Sequence, residues 1–280
     1  GMRAAMAGVA VLNDGGRMPR LGLGVFRSEP GPATFHAVLT ALQLGYRHID
    51  TAAYYRNEQS VGEAIRASGI PREEVFVTTK LASMGPSGYD YEGTMRALKE
   101  SLRQLGMSYV DMYLIHSPND KQNRLEQWRA LEDAKTAGLA RSIGVSNYGI
   151  HHLEELEKHC RLMPATNQVE LHPWLARPEL VSYCKSKGIV LTAYSPLAKA
   201  AKMSDREVVA LANKCKCTPA QLLIKWSLQQ GFVTIPKSTN PDRIRENMQV
   251  ESFDIAEEDL LKMKSWDCYM TTGWDPTRSM

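Results

Sequence analysis

The chain has no long apolar run, and this absence excludes a membrane-spanning helix. Of its 280 residues 43% are hydrophobic and 23% charged. No uninterrupted apolar stretch reaches the roughly 18 residues that such a helix needs. The first residues also lack the pattern of a secretory signal. We therefore expect a cytoplasmic protein with no membrane partner.

Cysteine is scarce, and its five copies have no spacing typical of a disulfide framework or a zinc site. Cys215 and Cys217 stand two apart on a stretch predicted to be helical, where their side chains would face different ways. Neither a Cys-x-x-Cys spacing nor a nearby histidine pair supports a metal role for them. The sequence predicts a reducing compartment and no metal.

A strong excess of charge is also missing. The net charge of +3 and pI of about 8.5 are too mild to indicate a nucleic-acid partner, although they suit an anionic ligand. No stretch rich in glycine, serine or proline divides the chain. We expect a single domain over residues 1–280 that acts as a monomer on a small molecule.

The sequence does contain an alternation of short apolar runs and amphipathic stretches. An opening hairpin is predicted from residue 9, because Asn13-Asp14-Gly15-Gly16 is a strong turn signal. Strands are predicted at 21–24, 46–50, 75–79, 112–115, 140–145, 167–170, 190–194 and 232–235. Helices are predicted at 33–44, 60–68, 93–105, 125–137, 150–160, 179–187, 205–226 and 256–266, and several end in glycine.

This alternation predicts an α/β fold of the (β/α)₈ TIM-barrel class. Strand, helix and strand joined by short connections require parallel crossovers, and about eight such units favour a closed barrel. An open nucleotide-binding sheet is excluded, because Gly22-Leu23-Gly24-Val25-Phe26-Arg27 lacks the third glycine and the helix start of the fingerprint. The hairpin should cap the bottom of the barrel. An extra C-terminal helix and a tail over 267–280 should complete the fold.

Four titratable residues stand at or just beyond the ends of three predicted strands: Asp50, Tyr55, Lys80 and His116. Those ends face one mouth of a parallel barrel, where such folds place their chemistry. An ammonium beside the phenol should lower its pKa, and the carboxylate should keep that ammonium charged. The histidine can donate a hydrogen bond to a substrate oxygen. Each residue alone is more often structural, but together they fit protonation of an oxygen that gains negative charge.

The same motifs resemble those of the aldo-keto reductase superfamily over nearly the whole chain. They are the segments 45–52, Leu114-Ile115-His116, 143–148, 167–173 and Ile235-Pro236-Lys237-Ser238, in the family's order and spacing. The resemblance implies reduction of aldehydes and ketones with NADPH. It implies Tyr55 as general acid, Lys80 and Asp50 as the residues that tune it, and His116 as the residue that orients the carbonyl.

The resemblance also implies a binding site for NADPH or NADP⁺. Its residues would be Gly24, Val25, Ser146, Asn147, Gln168, Tyr194, Ser195, Leu197, Lys237, Ser238, Thr239, Arg243, Glu246 and Asn247. The chemistry of the residues from Lys237 to Arg243 supports a phosphate site independently of the resemblance. Lysine, serine and threonine at a helix start, with an arginine one turn in, supply cations and N–H groups for a phosphate.

The predicted carbonyl pocket departs from the family pattern at two positions. Ser117 and Ala82 stand where many members carry tryptophan. Phe26 should remain as a wall, and Trp274 of the tail should reach the mouth. We therefore expect a wide pocket, with a small-molecule carbonyl compound as substrate.

Two rival functions share the barrel scaffold. The first is a cofactor-binding regulatory or sensor subunit with little turnover, although no added partner-binding segment is evident. The second is a phosphate-sugar isomerase or lyase, which would need a different base and leaves Tyr55 unexplained. Consumption of NADPH in the presence of aldehydes discriminates among the three.

Overall fold

The computed structural model describes residues 7–86 and 88–280. Ten strands and ten α-helices lie within these residues. The strands are β1 (Val9–Val11), β2 (Arg17–Pro19), β3 (Leu23–Gly24), β4 (His48–Asp50), β5 (Phe76–Leu81), β6 (Val110–Ile115), β7 (Ala140–Ser146), β8 (Thr166–Glu170), β9 (Val190–Tyr194) and β10 (Val233–Thr234). The helices are α1 (Pro32–Leu44), α2 (Glu58–Ala67), α3 (Tyr91–Leu105), α4 (Arg124–Thr136), α5 (Ile150–Glu157), α6 (Pro178–Ser186), α7 (Arg206–Lys214), α8 (Pro219–Gln229), α9 (Pro241–Met248) and α10 (Glu257–Lys264).

Strands β3 to β10 form one parallel sheet in chain order. Leu21 pairs with Thr234, and Gly24 pairs with Lys237, both in parallel orientation. These pairs connect the first strand of the sheet to the last, so the sheet closes. The predicted (β/α)₈ barrel is confirmed, and the C-terminal ends of its strands share one mouth.

The antiparallel hairpin of β1 and β2 packs against the opposite end of the barrel. Leu12 and Met18 of the hairpin are buried in one apolar cluster with Phe76, Met112 and Val233. Two of these barrel residues stand at the starts of β5 and β10. The hairpin therefore caps the bottom, as predicted.

Helix α1 ends at a glycine, as the sequence predicted. Gly45 adopts the left-handed conformation, with φ of 114°, and its N–H donates to carbonyls of the last turn. A residue with a Cβ is disfavoured in this conformation, whereas glycine adopts it freely. The chain then turns directly into β4, which carries Asp50 at its end.

One predicted helix is wrong, because residues 205–226 form two helices. Lys216 adopts a left-handed conformation between α7 and α8, with φ of 55°. Thr218 then starts α8 with a capping box, in which its hydroxyl accepts from the Gln221 N–H and the Gln221 side chain accepts from the Thr218 N–H. Cys215 and Cys217 consequently lie in the break between the helices.

The helix that was expected to start at the Lys-Ser-Thr segment begins slightly later. Asn240 caps α9, because its side chain accepts hydrogen bonds from the N–H groups of Asp242 and Arg243. Lys237, Ser238 and Thr239 therefore lie in the loop between β10 and the cap. The tail beyond α10 is irregular apart from one short 3₁₀ turn at Pro276–Arg278.

Two kinds of feature are absent from the part of the chain that the structure describes. None of its helices is both long and apolar enough to cross a membrane. No three or more histidine, cysteine, aspartate or glutamate side chains within it are grouped so that they could hold a metal ion.

Candidate active site

The four titratable residues that the sequence predicted to lie together meet at the C-terminal mouth of the barrel. Asp50 ends β4, and Lys80 is the last residue but one of β5. His116 directly follows β6. Tyr55 ends a short 3₁₀ turn, Ala53–Tyr55, that follows β4 and turns the phenol back over the mouth.

Lys80 connects three of these groups. Its ammonium is fully buried and donates to the Asp50 carboxylate at 2.5 Å, to the Thr51 carbonyl at 3.0 Å and to the Tyr55 hydroxyl at 3.1 Å. The second Asp50 oxygen accepts a hydrogen bond from the Gln168 amide at 2.7 Å. All three ammonium protons and both carboxylate oxygens therefore have partners, as a buried ion pair requires.

The electrostatics of this pair hold the lysine in its charged form. Burial alone would lower the pKa of Lys80, but the Asp50 charge, the Tyr55 oxygen and the hydrogen bonds to both raise it above its ordinary value. The ammonium is therefore charged at neutral pH.

Tyr55 titrates in the opposite direction from the one expected. Burial raises the pKa of its phenol, and this effect outweighs the lowering effect of the Lys80 charge. The nearby Asp50 carboxylate also raises the pKa, because it offsets part of the lysine charge. The phenol is consequently protonated at neutral pH, which is the form that a general acid needs.

His116 stands beside the phenol as a neutral imidazole. Its ring lies 5.7 Å from that of Tyr55 between centroids. Burial first, and the Lys80 charge second, lower the pKa of His116 well below 6.5. The Asn147 amide donates to the His116 carbonyl at 3.0 Å, which ties the backbone after β6 to the loop after β7. A neutral imidazole in this place can donate one N–H to an oxygen in the cavity.

A cavity of about 510 Å³ opens over these groups. Of the four titratable residues, called the tetrad below, Asp50, Tyr55 and His116 line its walls together with aromatic and thioether side chains, whereas Lys80 is fully buried. Phe26 lies against Tyr55, with ring centroids 5.2 Å apart. The lining comprises Gly24, Phe26, Arg27, Asp50, Tyr54, Tyr55, Met84, His116, Ser146, Asn147, Gln168, Tyr194, Ser195, Lys199, Ile235, Lys237, Gly273 and Trp274.

A second cavity, of about 590 Å³, continues from the first. The two share Phe26, Arg27, Ser195, Lys199 and Lys237, so they form one cleft. The second cavity is also lined by Pro196, Leu197, Ala200, Met203, Thr218, Pro219, Ala220, Ser238, Thr239, Asn240, Arg243, Glu246 and Asn247. The cleft therefore runs from the tetrad to the start of α9.

Four cations line this cleft: Arg27, Lys199, Lys237 and Arg243. None of them forms an ion pair with a carboxylate within residues 7–86 and 88–280. Glu246 is the acidic residue among the lining of the second cavity. The cleft thus offers positive charge to an elongated anion.

The loops after β7 and β9 meet through a chain of polar side chains. Asn147 adopts a left-handed conformation, with φ of 61°. Its amide donates to the Ser146 hydroxyl at 3.2 Å, and that hydroxyl donates to the Gln168 carbonyl at 2.8 Å. The Tyr194 hydroxyl donates to the Asn147 side chain at 2.7 Å. Hydrogen bonds thus hold these predicted cofactor residues in one arrangement.

Comparison with known proteins agrees with this geometry. Residues 20–267 match the model of the Aldo/keto reductase family. This chain belongs to the aldo/keto reductase family. It is therefore an oxidoreductase of a family that reduces carbonyl compounds.

Two curated members of the family are similar over nearly their whole length. The 9,11-endoperoxide prostaglandin H2 reductase of Trypanosoma cruzi is 45% identical, over 95% of this chain and 93% of that protein. The glyoxal reductase of Bacillus subtilis is 43% identical, over 98% of each protein.

Solved structures of the family superpose closely. An aldo-keto reductase enzyme from a deep-sea metagenome library has a TM-score of 0.91 and 39% identity, over 97% of this chain and 99% of that one. The Bombyx mori aldo-keto reductase in complex with NADP has a TM-score of 0.88 and 35% identity, over 96% of this chain and 95% of that one.

Besides the buried Lys80, three residues that the family resemblance suggested lie elsewhere than in the cleft lining. Val25 is buried in the core, and its N–H donates to the Asp50 carbonyl at 3.1 Å. Ser117 is fully buried, and its hydroxyl donates to the Ser83 carbonyl across the neighbouring turn. Ala82 is half-buried beside that turn and does not reach the described walls. Phe26 and Trp274 line the cavity.

Sequence reasoning missed several residues of the cleft, above all Arg27, Lys199 and Met84. Arg27 had a signal, since it directly follows the predicted wall residue Phe26. Lys199 lies in the loop after β9, two residues beyond the predicted Leu197. Met84 lines the catalytic cavity, and its position in the sequence carries no such signal.

Proposed function

We propose that this protein reduces aldehydes and ketones to alcohols with NADPH, and that Tyr55 is the general acid. One observation carries the proposal. The Tyr55 oxygen accepts a hydrogen bond from Lys80, and its own hydrogen has no acceptor among the described residues. That hydrogen is therefore free to be donated to an oxygen in the cavity.

The tetrad supplies the proton half of a carbonyl reduction. As negative charge develops on the substrate oxygen, Tyr55 donates its proton, and the neutral His116 donates a hydrogen bond to the same oxygen. The phenolate that remains on Tyr55 is stabilised by the charged Lys80 ammonium 3.1 Å away. Asp50 keeps that ammonium charged inside the barrel.

The cleft fits a phosphorylated dinucleotide. Its four cations are exposed and have no carboxylate partner among the described residues, so they offer positive charge to an anion bound there. Lys237 and Arg243 would hold a phosphate near the start of α9, and Ser146, Asn147 and Gln168 would hold a carboxamide at the other end. Bound there, the reduced dinucleotide supplies the hydride. The NADP complex of the Bombyx mori relative supports this choice.

Small reactive aldehydes are the substrates to test first. The similarity to the glyoxal reductase of Bacillus subtilis and the modest cavity of about 510 Å³ both favour them. We expect loss of NADPH absorbance at 340 nm with glyoxal, methylglyoxal and nitrobenzaldehyde. NADPH binding without turnover on any carbonyl would favour the sensor alternative.

Replacing Tyr55 with phenylalanine tests the assignment of the acid. Tyr55→Phe keeps the ring and removes the proton donor, so kcat should fall by roughly 10²-fold or more. NADPH binding, followed by fluorescence, should change little. Wild-type turnover in this variant would rule Tyr55 out as the acid.

A further inference from the structure

The C-terminal tail is attached to the barrel mouth by a buried carboxylate that the proposed mechanism does not use. Glu170 ends β8 and is 1% exposed. The Thr272 N–H donates to its Oε1 at 2.8 Å, and the Thr272 hydroxyl donates to the same oxygen at 2.5 Å. His172 approaches this oxygen with its Nε2 at 3.0 Å. Thr272 is thereby fixed two residues before the cavity wall residue Trp274.

The backbone carbonyl of Thr272 contacts the loop after β9, which lines both cavities. The Lys199 ammonium donates to the Thr272 carbonyl at 2.7 Å. Lys199 itself lines the catalytic cavity and the second cavity, so this bond lies at their junction. The tail residue that follows, Gly273, is also at the cavity, where a Cβ would lie 3.1 Å from the lysine nitrogen.

The loop needs such an external attachment. Ser195, Ala198, Lys199 and Ala200 all have φ between 47° and 62°, which is an unfavourable conformation for residues with a Cβ. Backbone of this kind persists only where its surroundings hold it. A second contact comes from Lys202, whose ammonium lies 5.8 Å from the Trp174 ring centroid.

We propose that Thr272 is a latch between the substrate wall and the cofactor loop. Glu170 and Lys199 act through it as positioning residues. Glu170 fixes the tail, the tail fixes the loop through Lys199, and the loop retains the dinucleotide, so that cofactor release requires the bond between Lys199 and Thr272 to open. The inference rests on the proposed use of a dinucleotide in this cleft.

A charge-neutral substitution separates the latch from simple attraction between Lys199 and a phosphate. Thr272→Val removes the hydroxyl bond to Glu170 and changes no charge in the cleft. Loss of one such hydrogen bond should speed release of NADP⁺ by roughly 2- to 10-fold. Lys199→Met should speed it at least as much. Thr272→Ser, which keeps the hydroxyl, should release at the wild-type rate.

The measurement is the dissociation rate of NADPH and NADP⁺ by stopped-flow fluorescence on the whole protein. Thr136→Val makes the same substitution at the end of α4, where the hydroxyl bonds only its own helix, and should have no effect. The ratio of kcat/KM for nitrobenzaldehyde to that for glyoxal should also change in Thr272→Val, because the tail before Trp274 loses one of the hydrogen bonds that hold it.

The outcomes separate the latch from the proposed function. If Thr272→Val and Thr272→Ser both release at the wild-type rate while Lys199→Met is faster, the lysine acts only as a cation and the latch is wrong. Equal rates in all variants would also overturn it. If the wild-type protein binds and releases the dinucleotide but reduces no carbonyl compound, the reductase proposal is refuted. The latch is not refuted by that result, because it is tested by the release rates of the variants.

Discussion

At the scale of single residues, the site depends on the three hydrogen bonds that one buried lysine donates. Lys80 donates one to the carboxylate of Asp50, one to a backbone carbonyl and one to the phenol of Tyr55. The sequence predicted which residues meet, because strand ends in a parallel barrel share a mouth. The sequence could not predict whether the pKa of Tyr55 is raised or lowered from its ordinary value. That direction depends on how deeply the phenol is buried and on how completely the carboxylate offsets the lysine.

The pH profile follows from the same two pKa directions. Tyr55 must be protonated to act, and burial raises its pKa above the ordinary value of about 10. His116 must be neutral, and its pKa lies well below 6.5. The kcat/KM for reduction should therefore be constant from about pH 6.5 to about pH 9.5, falling only at higher pH as Tyr55 deprotonates.

Initial rates with glyoxal at saturating NADPH across this range check the profile. A fall in kcat/KM centred near pH 7 would contradict the assigned protonation states. Tyr55→Phe provides the control, since the kcat/KM that remains in this variant should no longer fall at high pH.

The buried ion pair predicts a particular pattern of stability. Lys80→Met leaves the Asp50 carboxylate buried without its cation, and we expect a loss of about 3 to 5 kcal/mol in the free energy of unfolding. The double variant Lys80→Met/Asp50→Asn removes the stranded charge and keeps an acceptor for Gln168. It should recover much of that loss while remaining inactive. Urea unfolding measures both, and a double variant no more stable than Lys80→Met would contradict the account.

At the scale of elements, the sequence predicted order and type well and local breaks poorly. The eight barrel strands lie where alternation of apolar runs placed them, because a strand buried on both faces leaves a clear apolar signal. The stretch 205–226 was predicted as one helix because its amphipathic pattern continues across Lys216. The capping signal Thr218-Pro219-x-Gln221 was present in the sequence and identifies the start of α8.

Helix α9 provides a test of the phosphate site within one element. Arg243 lines the cleft and has no carboxylate partner among the described residues, whereas Arg245, two residues on, lies outside the lining and 3.6 Å from Asp242. Arg243→Ala should weaken NADPH binding by roughly 10-fold or more, since a hydrogen bond to a charged group contributes about 1.5 to 3 kcal/mol. NADH, which lacks the extra phosphate, should bind almost unchanged.

Fluorescence titration of both cofactors against both variants measures this preference. Arg245→Ala is the matched control and should leave the affinities for NADPH and NADH alike unchanged. Equal weakening of the two cofactors by Arg243→Ala would argue against a phosphate at this end of the cleft.

At the scale of the whole molecule, the cleft combines segments from both ends of the chain. Phe26 comes from the loop after the first barrel strand, and Trp274 comes from the tail. The sequence predicted both as walls through the family resemblance, but it gave no sign of the contacts that hold the tail. Arg177 donates to Thr277 at 3.0 Å and to the Asp275 carboxylate at 3.1 Å. Such pairs join residues almost a hundred positions apart, and periodicity carries no information about them.

The position of Trp274 predicts how substrate range is set. Trp274 is 38% exposed and lines the catalytic cavity, so its indole can stack on a flat aromatic substrate. Trp274→Ala should lower kcat/KM for nitrobenzaldehyde by roughly 2- to 12-fold, because an aromatic contact adds about 0.5 to 1.5 kcal/mol beyond the buried area. Glyoxal has no aromatic ring to stack on the indole, so its kcat/KM should change less than about 2-fold. Leu261→Ala, an exposed apolar residue of α10 outside the cavity lining, should alter neither. An equal loss for both aldehydes in Trp274→Ala would show that the tryptophan supports the mouth as a whole, and substrate choice would then rest on Phe26 and Met84.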